Sequence, residues 1–406
     1  MPLLDSTAPS ERIISIDVLR GFAVLGILIM NIQSFSMINA AYINPTAYGD
    51  LTGINKWVWI LSHLLASEKF MSIFSMLFGA GIIIFSSRAV EKGRKAGPLH
   101  YRRNMWLLLF GLAHAYLIWY GDILTQYALC SFLAYLFRKL KPVKLVIIAS
   151  VFFFVPFVLY LFMGYTIQYW PPEAYNQNMQ SWMPAMESIR NELASMRGSW
   201  LEQMEQRIPG AIFMQTFFFA IYSFWRVMAM MLLGMALYKW GVLSAKRSKA
   251  FYTRMILIGL LVGWSIVSIG IWKNFEAGWK MDYSMFTGSQ FNYIGSLAVA
   301  LGYIGLIMLI CKSNILEAVK RVLSAVGKMA FTNYILMSIL ATLIFYGHGF
   351  GLYGHVERGG QALFVIGIWI IILIISPVWL NYYRYGPLEW LWRTLTYWHR
   401  QKFARP

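Results

Sequence analysis

Apolar runs of about 20 residues recur along the whole chain, the length a helix needs to cross the ~30 Å hydrocarbon core of a bilayer. A chain built of such runs has few options. In lipid every backbone amide and carbonyl must find its partner inside the segment, so each run is a helix. The expected spans are 13–37, 70–87, 104–120, 123–137, 145–165, 212–238, 255–272, 291–311, 329–346 and 362–383. The fold class is all-α, a polytopic membrane protein of about 10 transmembrane helices and one re-entrant or interfacial segment, forming a single integral domain over 1–406. Composition agrees: 59% of residues are apolar and 13% are charged, against roughly 25% charged in a soluble domain. That excludes an ordinary soluble enzyme, a disordered chain and a disulfide scaffold. The two cysteines, Cys130 and Cys311, are read as packing residues. The opening residues, Asp5, Ser10, Glu11 and Arg12, lack the basic n-region of a cleaved signal peptide.

The net charge of +18 has a topological explanation. Loops on one side of the spans hold 25 of the 35 Lys and Arg, loops on the other hold 8, and Arg20 and Arg226 fall inside spans. Basic residues collect on the cytoplasmic side, so both termini are expected there. Nucleic acid is not needed to explain the charge; membrane lipids are the expected surroundings. On the far side lie two larger segments. Residues 166–211, with Trp170, Pro171, Pro172 and a charged helix-like run from Met186 to Arg207, read as an extracytoplasmic cap or lid. Residues 38–69 hold the short apolar run Trp57–Leu65, the re-entrant or interfacial segment.

Ionisable groups inside a membrane are expensive and mark candidate sites. Asp17 and Arg20 are three residues apart, hence on one helix face. Two readings fit: an interfacial ion pair, or an anion site where Arg20 meets a phosphate. Asn31 lies on the same face, deeper in the span, as an intramembrane amide that needs a partner, or simply as a helix-packing amide. His63, Glu68 and Lys69 sit at the mouth of the second span. His63 is a candidate general base, since a neutral imidazole accepts a proton near pH 7.

His114, Trp119 and Asp122 cluster around the turn between spans three and four. They read as polar residues of a cavity, or, for Asp122, as the N-cap of the next helix. Arg226 lies mid-span and must face protein, water or an anion. Lys328 and Asn333 open the ninth span, whose N-terminal amides favour an anion. Arg102 and Arg103 open the third span at the same face, completing with Arg20 a basic rim suited to a phosphorylated ligand. The six histidines have no metal-ligand spacing, and no phosphate loop, dinucleotide fingerprint or nucleophile elbow is present.

The stretches RIISIDVLRGFAVLGILIMN, EKFMSIFSMLFGAG, RRNMWLLLFGLAHAYLIWYGDIL, FNYIGSLAVALGYIGL, VGKMAFTNYILMSIL and YGPLEWLWRTLTY resemble the YeiB-type family of bacterial membrane proteins along nearly the whole chain. More distantly, the first two spans resemble the transmembrane acyltransferases that include heparan-alpha-glucosaminide N-acetyltransferase. The shared pattern is Asp-x-x-Arg-Gly at Asp17–Gly21, then Asn31, then His63 before a Phe- and Gly-rich helix. That resemblance implies acetyl-CoA or another acyl-CoA as co-substrate and no metal. It puts Arg20 on the CoA side and Asn31 along the pore, and Asp17, Arg102, Arg103, Lys328 and Asn333, read above at the same face, are expected to bind the cofactor with Arg20. It gives catalytic roles to His63, Asn31 and Glu68, and an acceptor and a homodimer as partners. The expected function is transfer of an acyl group, acetyl in the first instance, from cytosolic acyl-CoA to an acceptor at the outer face. The alternative is a transporter of a small anionic or amphipathic solute, with Lys69, His114, Trp119, Asp122 and Arg226 along its path. A third reading is a sensor or assembly factor that uses the cap as its contact surface.

Overall fold

The structure, a computed structural model, describes residues 13–405; the opening segment, read above as lacking a signal n-region, lies outside them. Its regular elements are helices, in the order α1 (Ile14–Ser36), α2 (Asn39–Ile43), α3 (Gly53–Leu65), α4 (Lys69–Glu91), α5 (Ala96–Leu117) and α6 (Leu124–Ala134). Then come α7 (Pro142–Thr166), α8 (Pro172–Trp182), α9 (Met186–Arg197), α10 (Met204–Gln215), α11 (Phe224–Lys239) and α12 (Lys249–Glu276). The last are α13 (Met281–Tyr283), α14 (Ser289–Lys312), α15 (Glu317–Lys328), α16 (Ala330–Phe345), α17 (Arg358–Tyr382) and α18 (Pro387–Tyr397).

All ten expected segments map onto helices. Among the described residues, seven stretches are long and apolar enough to cross a membrane, or eight if α15 and α16, bent by 81° at Met329, count as one broken span. The two of the ten that fall outside this set are α5, which carries His100, Arg102, Arg103 and Asn104 in its first half, and α6, which has 11 residues. Neighbours shield α6, where Tyr127, Ala128, Cys130 and Ala134 are fully buried, and bury His100 and Asn104 of α5. A helix surrounded by protein need not be apolar on all sides. The opposite holds for α7, whose Val143, Ile147, Val151, Phe154, Val158 and Phe162 are exposed along one face. An exposed apolar face that long belongs in lipid, and the chain is a membrane protein. At the centre of the bundle stands α1, buried along most of its length.

The expected re-entrant or interfacial segment is α3. It joins α4 through three residues, and the two make one apolar stretch of 39 residues. Glu68, the last residue of the join, has a left-handed backbone (φ 64°). The charged run Met186–Arg207 is not one helix. It stops at Gly198, where Glu202 accepts the Ser199 amide (2.6 Å), and α10 restarts at Met204. The sixth span therefore begins earlier than expected and reaches α11 through a π-turn at Phe219–Ser223.

The ends of the bundle differ. One gathers the start of α1, the start of α5, the turn after α11, α15 and α18, with Ser15 Oγ of α1 bonded to Leu243 O of that turn (3.0 Å) and Trp392 Nε1 of α18 to Arg103 O of α5 (2.7 Å); this is the basic end. The other carries the cap. The cap is held by Asn44 Nδ2 to Trp182 O (3.1 Å), the Asn39 amide to Glu192 Oε1 (2.8 Å), Arg207 Nη1 to Leu117 O (3.2 Å) and the Gly347 amide to Met196 O (3.0 Å). Burial raises the Glu192 carboxyl above its usual range, opposed by the Asn39 amide and Tyr353 hydroxyl bonded to it. At Gly347 a Cβ would lie 1.9 Å from the Arg197 carbonyl oxygen. Gly347→Ala is expected to unseat α9 and speed limited proteolysis between residues 183 and 203. Unchanged cleavage would mean that this contact does not seat the cap.

Candidate functional site

The basic end opens into a cavity of about 290 Å³ between α1, α4, α5, α6, α15, α16 and α18. One stripe of α4 lines it, at Phe74, Phe78, Gly81, Phe85, Arg88 and Lys92. The steps alternate between four and three residues, so these side chains share one helix face. The stripe spans about 27 Å at 1.5 Å per residue, close to the ~30 Å of a hydrocarbon core. Its chemistry changes along the way. At the mouth stand Arg20, Arg88, Lys92, Arg94, Arg103, Lys328 and Arg393. Further in, the walls are Leu77, Leu107, Tyr127 and Phe331, and the deepest residues are Phe74, Leu124 and Tyr334. The mouth can hold an anion with several negative charges, and the shaft can hold an uncharged chain.

The cations are oriented rather than loose. Arg20 Nη1 bonds Asp17 Oδ1 (2.9 Å), the pair read from the sequence, and lies 3.4 Å from the Gly327 carbonyl oxygen. The Arg103 guanidinium lies between the rings of Phe85 (4.8 Å) and Trp392 (4.3 Å). Aromatic faces hold a guanidinium in place and leave its N–H groups for a ligand.

The structure brings together four of the residues expected on this side: Asp17, Arg20, Arg103 and Lys328. Arg102 and Asn333 stand apart from them. Arg102 packs 4.2 Å over the ring of Trp398. Asn333 is fully buried, bonding Val326 O (3.1 Å) and Ser376 Oγ (3.0 Å). The expected anion place at the start of α16 is filled by the chain itself. Glu389 of α18 accepts from the amides of Phe331 (2.7 Å) and Thr332 (3.1 Å) and from Thr332 Oγ1 (2.6 Å). A carboxylate there satisfies both the unpaired amides and the helix dipole. Sequence reasoning misses Arg88, Lys92, Arg94 and Arg393, which look like ordinary loop charge. The 3–4 spacing that links Arg88 and Lys92 to the Phe stripe is the signal that could have found two of them.

The other intramembrane charges form two separate clusters. In the first, Arg226 meets Glu68 Oε2 at 3.1 Å and donates to Ser296 Oγ (2.8 Å), Ser72 Oγ (3.2 Å) and Tyr293 O (3.2 Å). Tyr222, from the π-turn before α11, donates to Glu68 Oε1. Lys69 is fully buried and donates to Asn292 Oδ1 (2.7 Å) and His63 O (2.7 Å). The partner of Arg226, open from sequence, is thus Glu68, 158 positions away in the chain.

In the second cluster, His114 Nδ1 lies 2.9 Å from Asp122 Oδ1, and both side chains are 1% exposed. Asp122 Oδ2 also accepts the Thr125 amide (2.7 Å), so the capping reading of this residue holds, while neither His114 nor Asp122 lines the cavity. Trp119 packs beside His114, ring centroids 6.3 Å apart.

The three residues expected to act in catalysis do not converge on the cavity. His63 is half-buried, stacked on Trp59 (4.9 Å between centroids). Glu68 belongs to the Arg226 cluster. Asn31 is half-buried on α1. None of the three lines the cavity.

The family model described as protein of unknown function (DUF418) matches residues 237–399. The chain is 33% identical to YxaH of Bacillus subtilis (strain 168), an alignment covering 100% of this chain and 99% of that protein. It is 31% identical to YeiB of Escherichia coli (strain K12), over 95% of this chain and 96% of that one. It is 27% identical to a 39.9 kDa protein in the amylase 3' region of Bacillus acidopullulyticus, over 97% and 96%. No solved structure matches the chain.

Proposed function

The chain belongs to the family of YxaH and YeiB, and for it we propose the activity of a transmembrane acyltransferase, moving an acyl group from acyl-CoA to an acceptor on the opposite side of the membrane. The observation that carries this reading is the cavity: seven cations at its mouth and, beyond them along Phe85 to Phe74, a shaft about 16 Å long with apolar and aromatic walls. CoA has the matching shape, with three phosphates at one end and a thin, uncharged pantetheine arm at the other. Arginines held on aromatic faces suit phosphate oxygens. The excess of Lys and Arg at this end supports placing it on the cytoplasmic side of a bacterial plasma membrane. Both termini then lie in the cytoplasm, α5 and α6 complete ten crossings, and the cap faces outward. Acetyl-CoA is the first co-substrate to try, since it is the smallest common acyl-CoA.

The test is calorimetric titration of acetyl-CoA into the purified protein in detergent. Saturable binding is expected. Arg94→Ala and Arg393→Ala are each expected to weaken it about tenfold, the loss of about 1.4 kcal/mol per charge–phosphate contact. Raised salt should weaken it further. Folded protein that binds no acyl-CoA would overturn the reading. The Glu68–Lys69–Arg226 cluster, which lies off this cavity, favours the second reading, a transporter of a small anionic solute. Solute flux into proteoliposomes without acyl-CoA would establish it.

A further inference from the structure

The tight turn between α5 and α6 holds more chemistry than a turn requires. Asp122 caps α6 through the Thr125 amide, and Gly121 precedes it in the turn. Neither task needs a histidine. Yet Asp122 turns its other oxygen to His114 Nδ1 at 2.9 Å, in a place where both side chains are 1% exposed. A neutral imidazole that donates from Nδ1 to a carboxylate carries its lone pair on Nε2. That Nε2 has no hydrogen-bond partner among the described residues, although it is buried. Buried polar nitrogens are almost always bonded, so a bare one calls for a ligand or a water.

The position of the pair gives it a task. Tyr334 is at the deep end of the basic cavity, and its ring lies 5.1 Å from the His114 ring. Its hydroxyl also accepts the amide of Ile123 (3.3 Å), next to Asp122. On the other side Trp119 leads to Tyr120, whose hydroxyl bonds Ser34 (2.8 Å) and Asn39 near the cap. The pair therefore stands between the end of the cavity and the cap side, where a donor from one face would meet an acceptor from the other.

Building on the acyltransferase reading, we infer that His114 is the general base and Asp122 the residue that positions it. Nε2 takes the proton of an acceptor hydroxyl or amine as that oxygen or nitrogen bonds to the thioester carbonyl carbon. The carbon–sulfur bond breaks, and the proton passes from Nε2 to the departing CoA sulfur. The products are an ester or amide and free CoA thiol. The acceptor class is a small polar alcohol or amine that reaches the pair from the cap side.

The experiment measures two quantities on the full-length protein: the Kd of acetyl-CoA, and the release of free thiol with water, glycerol, ethanolamine or glucosamine as acceptor probes. Wild-type protein is expected to release thiol with at least one of them. His114→Gln, which has no imidazole to take the proton, should lower that rate at least 100-fold with the Kd unchanged. Asp122→Asn should lower kcat with KM for acetyl-CoA unchanged, and it carries the test if His114→Gln fails to fold. Thiol release at the wild-type rate by a His114→Gln protein that binds acetyl-CoA would overturn the inference. So would an unchanged kcat in Asp122→Asn, or wild-type protein that binds acetyl-CoA and releases no thiol with any probe. Wild-type protein that binds no acetyl-CoA sinks the acyltransferase reading first, so the two failures are distinguishable.

Discussion

Replacing Arg226 with methionine is expected to lower the unfolding free energy by about 3–5 kcal/mol, the usual cost of removing one partner from a buried ion pair. Four groups lose a donor at once: the Glu68 carboxylate, Ser72, Ser296 and the Tyr293 carbonyl. Methionine fills much of the volume, so the loss is electrostatic and not a cavity effect. Most of it comes from leaving the partly buried Glu68 carboxylate without its guanidinium, with the Tyr222 hydroxyl still donating to it. Glu68→Gln in the Arg226→Met background should then recover part of the loss, because a neutral amide costs less to leave without its cation. The double-mutant cycle is read by denaturant unfolding in detergent, with wild type, both single variants and the pair. A single Arg226→Met change within about 1 kcal/mol of wild type, well below that 3–5 range, would mean that the cluster is hydrated and holds nothing together.

The second large effect concerns the crossing of α4 and α11, where each helix brings a glycine. A Cβ on Gly79 would lie 2.0 Å from the Met231 carbonyl oxygen of α11, and one on Gly234 would lie 1.9 Å from the Met76 carbonyl oxygen of α4. The two helices touch backbone to backbone, the close approach that small residues permit in membranes. Gly79→Ala must push α11 away. The expected cost is about 3 kcal/mol, the upper end for overpacking, because backbone and not a flexible side chain has to move. The displacement would also reach Arg226, on the same helix as Gly234. Gly81→Ala, two residues along α4, is the control. Its Cβ would meet nothing within 4 Å, since Gly81 lines the cavity, and the variant should unfold as wild type does. Equal midpoints for the two variants would refute the contact.

How far each of these features is legible in the sequence depends on the range of the contact behind it. The Asp17–Arg20 pair is legible because three positions on a helix are always neighbours. The dual role of Asp122 is half legible, since capping is local and the approach of His114 depends on how tightly the hairpin closes. The Glu68–Arg226 pair is not, because no local rule brings α4 and α11 together. At the start of α16 the sequence shows the right chemistry for an anion but not that the place is taken. Glu389 fills it from α18, 58 positions beyond Phe331.

Hydropathy, helix periodicity and charge add up along the chain. From them alone follow an all-helical membrane protein, roughly where its apolar helices lie, and which end is basic. Which charges meet was settled only by packing. It turned the Arg88–Lys92 face of α4 toward Arg20 and Arg393 to make the cavity mouth. It shielded the short α6 and put Glu68 against Arg226, and it held His63 away from the cavity while standing His114 beside its end. In lipid the apolar surfaces of helices are nearly interchangeable, so hydropathy cannot choose partners. The choice falls to glycine contacts and buried hydrogen bonds between helices distant in sequence.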